Sequence, residues 1–333
     1  MRPEIFTGAL LVLLLSASGQ AHHSHTGFDL DRVIAFQGTV FEFEWTNPHV
    51  YLTIADESGA EWLIETDPTP VMTRSGWTKD SFSPGDVVAV RANPDRRPGK
   101  THGLLLSIEG ADGVSMASWN STGQDTHAGP LARADSLEGV WQGERSSLKG
   151  FADLLRTYPL TEKGEAARSA YSQALNPTAE CITWPTPFIL SSYLYLSEIE
   201  LGEEEIIYRN EFYGTLRTIH LDSRPFPPAH ERSLQGFSVG HWEGDTLVVE
   251  TRNFSDHRSP YGSGTGIPSG ASKRVVERYR LGEDGTEALV DIYLEDPEFL
   301  AEPVTTTFVW KYSPHLEMLQ LDCDAGIAAR FIE

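Results

Sequence analysis

The chain has 333 residues, 40% of them apolar, and its 48 acidic and 26 basic residues give a net charge of −22. This length and apolar content argue against a disordered chain and favour two domains, each with its own core. Because the negative charge repels phosphate backbones, we expect no nucleic-acid partner.

Residues 1–21 have the pattern of a secretory signal peptide. Arg2 precedes an apolar run over 9–15, and small residues follow that run up to Ala21. The run is too short to span a bilayer, which takes about 20 apolar residues, and its small-residue end suits a signal peptidase. The sequence therefore predicts a periplasmic or secreted protein without a transmembrane anchor after cleavage.

Residues 22–109 are predicted to form a small β-domain. Apolar and polar residues alternate over 38–45, the period of a half-buried strand, and a short helix is predicted over 69–74. Further strands are predicted over 49–55, 61–65, 87–90 and 103–108. So many short strands in so short a segment favour a closed barrel, and we expect an OB-like one.

Residues 110–136 lack periodicity and are predicted to be a linker, and residues 137–333 are predicted to form a larger β-domain. A helix is expected over 161–174, with Thr161 as its cap. Hairpin turns at 243–245 and 283–285 indicate a meander, which tends to close because an open edge invites aggregation. We therefore expect an all-β protein whose second domain is an antiparallel, lipocalin-like barrel with one short helix, or a strongly curved sheet.

Cys181 and Cys323 are the only cysteines. An even pair in an oxidising compartment favours a disulfide, which here would close a long loop within the second domain.

Several short motifs resemble exported bacterial domain families of unknown function. In the first domain they are His22-His23-Ser24, Phe28-Asp29, Trp45-Thr46-Asn47-Pro48-His49 and Pro84-Gly85-Asp86. In the second they include Arg217-Thr218-Ile219-His220, Trp242-Glu243-Gly244-Asp245, Glu277-Arg278 and Asp296-Pro297. The resemblance implies an exported two-domain protein and no particular activity.

The new amino terminus is the candidate metal site. Cleavage after Ala21 would leave His22 first, whose amine and ring nitrogen can chelate one ion, and cleavage after Gln20 would place His23 third. Amine and imidazole ligands favour copper or nickel, so copper is the cofactor we expect. His49 is the preferred further ligand and Asp29 the weaker alternative. The competing interpretation is a flexible amino terminus that binds no metal.

Four charged residues within predicted strands are the candidate ligand-binding residues of the second barrel. Arg217 shares a face with Ile219 and is predicted to point inward, where Glu250 or Glu277 would have to pair with it. Together with Arg278, these residues would bind a carboxylate-bearing ligand or support proton transfer. The competing interpretation is a surface ladder of ion pairs.

Three functional hypotheses follow from these features. The first is a binding protein that holds copper at its mature terminus and a small ligand in its second barrel. The second is an exported enzyme using copper-assisted redox chemistry or acid–base isomerase or lyase chemistry, although familiar enzyme signatures are absent. The third is an envelope scaffold. The sequence does not predict the oligomeric state.

Overall fold

A computed structural model describes residues 27–118, 132–172, 175–228, 231–256, 258–262 and 264–330. Their strands form two closed β-barrels, which confirms the prediction of a two-domain, all-β protein. The predicted signal peptide lies outside the described residues. No helix in the described ranges is both long enough and apolar enough to cross a membrane.

The first barrel is built from short strands that alternate buried and exposed side chains. Its strands are β1 (Ile34–Glu44), β2 (Tyr51–Asp56), β3 (Glu61–Glu65), β4 (Val87–Pro94), β5 (His102–Gly110) and β6 (Ser115–Ala117), in the sheet order β3-β2-β1-β4-β5-β6. A parallel pairing of β3 with β5 closes the barrel. The predicted helix is present as α1 (Thr69–Arg74). The short β6 lies inside the segment predicted to be a linker.

The second barrel is a nine-strand meander in which each strand pairs with the next along the chain and the last pairs with the first. Its strands are β7 (Gly139–Gly143), β8 (Ser197–Leu201), β9 (Glu205–Asn210), β10 (Thr215–His220), β11 (Phe237–Glu243), β12 (Thr246–Arg252), β13 (Arg274–Leu281), β14 (Glu287–Glu295) and β15 (Val304–Tyr312). Both predicted hairpins are present, as β11–β12 and β13–β14.

One pair in this barrel departs from the predicted antiparallel arrangement. Strand directions cannot alternate all the way around a ring with an odd number of members, so one neighbouring pair must be parallel. That pair is β10–β11, in which Ile219 lies opposite Ser238. A parallel pair needs a crossover connection rather than a tight turn, and 16 residues separate the end of β10 at His220 from the start of β11 at Phe237.

The second domain also contains a helix that the sequence analysis did not predict. Helix α2 (Arg145–Arg156) buries Phe151 against Phe308 of β15, with the two rings edge to face and their centroids 5.5 Å apart. The expected helix is α3 (Glu162–Ala170), which is shorter than predicted. Thr161 caps it, as expected, because its hydroxyl accepts a hydrogen bond from the Gly164 N–H. A last short helix, α4, spans Ala325–Ala328.

The predicted disulfide joins Cys181 to Cys323, with their Cα atoms 5.8 Å apart. Large aromatic side chains fill the interior of the second barrel. Trp141, Tyr208, Tyr279, Phe308 and Trp310 are each at most 1% exposed and belong to one continuous apolar cluster. The wall of the barrel therefore surrounds a packed core.

Candidate functional site

A pocket of about 580 Å³ lies at one end of the second barrel. Strand β12 ends there, β13 begins there, β14 ends there and β15 begins just beyond, as antiparallel neighbours require. The pocket is lined by Arg232, Arg252, Asn253, Ala271, Ser272, Lys273, Arg274, Glu295, Asp296, Pro297, Leu300, Ala301, Glu302 and Pro303. It combines four basic and three acidic side chains with an apolar wall.

An ion-pair network organises the basic side of the pocket around Glu250. The carboxylate accepts hydrogen bonds from Arg274 Nε at 2.8 Å and from Arg252 Nε at 2.5 Å. These bonds lower the pKa of Glu250, and the bond from Arg274 has the largest effect. Arg274 also donates to Glu295 at 3.2 Å. The network fixes both guanidinium groups at the rim.

Arg252 keeps unused hydrogen-bonding capacity. Within the described part of the chain, its Nε is the only guanidinium nitrogen that makes a hydrogen bond, and the group lies 5.2 Å from the centre of the Phe226 ring. An anion in the pocket can therefore accept hydrogen bonds from Arg252 without breaking the network. Charge-assisted bonds of this kind are the stronger ones in proteins.

Lys273 is buried in the wall of the pocket and is only 1% exposed. Its Nζ lies 4.1 Å from the centre of the Phe254 ring and 5.5 Å from that of Tyr261, and it has no hydrogen-bond partner among the described residues. Burial lowers the pKa of Lys273 to about 7, although the charge of Asp296 opposes this shift. A desolvated lysine beside a pocket is a functional-site signal.

Asp296 fixes the backbone around this lysine. Its Oδ2 atom accepts hydrogen bonds from the Tyr261 hydroxyl at 2.8 Å and from the Gly270 N–H at 2.6 Å. The sequence analysis did not single out Lys273 or the pocket. The motif Asp296-Pro297 was the one available signal, since it belongs to the resemblance described above.

Two of the sequence-predicted binding residues meet inside the barrel. Arg217 donates to Glu277 at 2.9 Å, to Thr251 at 2.6 Å and to Ser238 at 2.8 Å. Both charged side chains are at most 1% exposed. Burial opposes the charged form of Arg217, but the Glu277 carboxylate outweighs it and raises the pKa of Arg217. Tyr279 completes the cluster by donating to Glu277 at 2.5 Å.

The other two predicted binding residues lie elsewhere. Glu250 does not line the pocket but pairs with Arg252 and Arg274, which do. Arg278 points outward, where it donates to Glu243 at 2.7 Å. Side chains alternate along β13, so Glu277 and its neighbour Arg278 face opposite sides of the barrel wall. The four residues do not converge on one site.

In the first barrel, His49 belongs to a chain of buried polar side chains. Its Nδ1 lies 2.9 Å from the Thr66 carbonyl oxygen and 3.5 Å from Glu65 Oε1. The other oxygen of Glu65 lies 3.3 Å from Nε2 of His102, whose Nδ1 lies 3.3 Å from Asp95. Sequence reasoning missed His102, which the parallel β3–β5 pairing brings beside Glu65.

The first described residues of the chain approach this cluster. The Gly27 carbonyl accepts a hydrogen bond from the Arg96 N–H at 2.9 Å, and the Phe28 ring packs edge-on against His102 with centroids 4.8 Å apart. The N–H of Asp29, the alternative metal ligand, donates to the Pro94 carbonyl. His22 and His23 lie outside the described residues. The described ranges contain no group of three or more His, Cys, Asp or Glu side chains that could hold a metal ion.

Comparisons with known proteins place part of the chain in a wider context. No curated protein matches it. A crystal structure of a mutant of the fluorescent protein UnaG is similar at 14% identity, over 53% of this chain and 94% of that chain, with a TM-score of 0.24. That score is too low to support an argument. Residues 10–106, which include all of β1–β4, match the family model described as a family of unknown function (DUF6152).

Proposed function

We propose that this protein is an exported binding protein whose second barrel holds a small anionic molecule in the pocket beside Arg252. The unused guanidinium nitrogens of Arg252 are the observation that carries this proposal, because they offer donors to an anion at no loss of existing bonds. A chain with a net charge of −22 repels anions in general, whereas basic side chains outnumber acidic ones by four to three in the lining of this pocket.

The apolar wall of the pocket defines the rest of the ligand. Pro297, Leu300 and Pro303 line the pocket together with its basic residues, so we expect an acidic head group joined to an apolar body. Ligand sites commonly combine an apolar lining with a few orienting polar groups, and the volume of this pocket falls in the usual range for small molecules.

We also infer that the protein is exported, that its first barrel is OB-like and that its second barrel is lipocalin-like. The disulfide between Cys181 and Cys323 supports an oxidising compartment, and so a periplasmic or secreted location. An OB-like first barrel is supported by its five closed strands, the parallel β3–β5 pair and the helix between β3 and β4. A lipocalin-like second barrel is supported by the meander and its closure, although it has nine strands and one parallel pair.

Calorimetric titration with octanoate tests the proposed function, with octanamide as the neutral match. We expect octanoate to bind and octanamide to bind at least tenfold more weakly. Arg252→Gln should weaken octanoate binding by about 10-fold or more, since a hydrogen bond to a charged group contributes about 1.5–3 kcal/mol. Arg278→Gln, an exposed arginine away from the pocket, is the control and should leave the affinity unchanged. Equal affinities for acid and amide would refute the proposal.

Copper binding at the processed terminus is the second candidate function, and the position of Gly27 favours it. Gly27 follows His23 by four positions in the sequence, and four residues of extended chain span at most about 14 Å. Phe28, the next residue, packs against His102, which Glu65 links to His49. Both polar contacts that the His49 ring makes with the described residues use Nδ1, so Nε2 can serve as the metal ligand.

Mass spectrometry of the exported protein and Cu²⁺ titration test this candidate. We expect a new terminus at Ala21 or His22 and one equivalent of bound Cu²⁺. The double variant His22→Ala/His23→Ala should abolish binding and His49→Ala should weaken it. His241→Ala, whose side chain is 58% exposed on the second barrel, is the control. Stoichiometric binding that survives loss of His22 and His23 would contradict the candidate.

A further inference from the structure

Lys273 combines three properties that a simple structural lysine does not need. Its amine is buried, it has no hydrogen-bond partner among the described residues, and its flanking residues Ser272 and Arg274 line the pocket with it. Lysines usually keep the ammonium group in water and bury only their alkyl stem. Here two aromatic rings, of Phe254 and Tyr261, surround the amine instead.

Such surroundings produce a nucleophile. Burial lowers the pKa of Lys273 to about 7, so close to half of the amine is uncharged at neutral pH and carries a free lone pair. Desolvation of a lysine in an apolar pocket is one of the established ways to activate it toward carbonyl compounds.

We propose that Lys273 forms a reversible imine with a carbonyl-bearing anionic ligand, that is, a small oxo acid. This inference rests on the proposed function, because Arg252 and Arg274 would hold the acid group while the amine meets the carbonyl carbon. Lys273 and Arg274 are consecutive residues, and both line this pocket.

The reaction balances without any oxidant or reductant. The nitrogen lone pair attacks the carbonyl carbon and gives a carbinolamine. The two hydrogens of the amine then leave with the carbonyl oxygen as one molecule of water, and a C=N bond replaces C=O. Hydrolysis is the reverse reaction. Exclusion of water around Phe254 and Tyr261 favours the imine once it has formed.

Other lysines provide an internal control. The side chain of Lys149 is 77% exposed, and that of Lys163 is 61% exposed and paired with Glu298, which raises the pKa of Lys163. The raised pKa keeps the Lys163 amine protonated at pH 7, which makes it a poor nucleophile toward carbonyl compounds.

Reductive trapping tests the inference. The full-length exported protein is incubated at pH 7 with glyoxylate, the smallest anionic aldehyde, and sodium cyanoborohydride, and peptides are then analysed by mass spectrometry. We expect one carboxymethyl group, on Lys273, formed at least tenfold faster than on Lys149. Lys273→Arg and Lys273→Met should lose this label and keep the slow background. Labelling of Lys149 with none on Lys273 would overturn the inference.

The two proposals fail in distinguishable ways. Octanoate carries no carbonyl group that forms an imine, so its binding to the wild-type protein reports the anion site alone. If octanoate binds but Lys273 is not trapped, the proposal of an imine is wrong and the proposal of anion binding stands. The basic rim has no role if Lys273 is trapped equally fast with glyoxylate and with the neutral aldehyde propionaldehyde, and if Arg252→Gln does not slow the reaction with glyoxylate.

Discussion

Arg74 of the first barrel and Glu211 of the second form a two-pronged ion pair, with both N–O distances at 2.8 Å. The side chain of Glu211 is fully buried and that of Arg74 is 7% exposed. Glu211 also accepts hydrogen bonds from the backbone N–H groups of Leu196 and Leu319, at 2.9 Å and 2.7 Å. One carboxylate therefore joins the first barrel, the second barrel and the C-terminal segment.

We expect Glu211→Gln to lower the free energy of unfolding by about 3 kcal/mol, because it leaves the buried charge of Arg74 without its partner. Urea denaturation followed by tryptophan fluorescence measures the change. The control is Glu243→Gln, which breaks an exposed pair with Arg278 and should change the free energy of unfolding far less, because water screens exposed ion pairs. Equal effects of the two variants would contradict a joining role for Glu211.

The pair formed by Arg217 and Glu277 should show strong coupling inside the second barrel. Arg217→Met alone leaves the buried carboxylate of Glu277 without its charged partner. It should lower the free energy of unfolding by about 3–5 kcal/mol. The double variant Arg217→Met/Glu277→Leu removes both charges and should recover much of that loss. A double-mutant cycle by urea denaturation measures the coupling, and additive effects would show that the pair is not coupled.

The disulfide should contribute a large part of the stability of the second domain. It joins residues separated by 142 positions, and its loss in Cys181→Ala/Cys323→Ala should lower the free energy of unfolding by about 3–5 kcal/mol. Reduction of the wild-type protein with dithiothreitol should produce the same shift in the urea midpoint. A double variant as stable as the oxidised wild type would disagree with this expectation.

Lys273 should make stability depend on pH. Its pKa is lowered from 10.5 to about 7 in the folded protein, so the unfolded chain binds more protons between these values. Stability should therefore rise as the pH rises from about 7 to about 10.5, and the full penalty should apply below pH 7.

Lys273→Met removes this contribution and is expected to be more stable than wild type at pH 6, by up to about 5 kcal/mol for the full shift. The difference between the two proteins should shrink as the pH approaches 10. Melting temperatures across this range provide the measurement, with Lys149→Met as the exposed control. A difference that does not change with pH would mean that Lys273 titrates normally.

The sequence by itself determined the local elements. Alternating side chains predicted the strands, Thr161 predicted the start of a helix, and Gly-containing turns predicted two hairpins, because each of these signals acts between residues close in the chain. Helix α2 was not predicted, because its stability comes from the packing of Phe151 on Phe308, which lies far away in sequence. Arg217 was predicted to face inward from alternation alone, and it does.

Only the tertiary structure decided where charged residues meet. Closure of the second barrel brings Arg252, Lys273 and Glu295 to one barrel end, although a long loop separates Arg252 from Lys273 and a whole hairpin separates Lys273 from Glu295. Lys273 follows a polar, glycine-rich loop, a pattern typical of an exposed residue. The rings of Phe254 and Tyr261 nevertheless bury it. Burial and pairing depend on contacts between distant segments, and a single sequence carries no local signal for them.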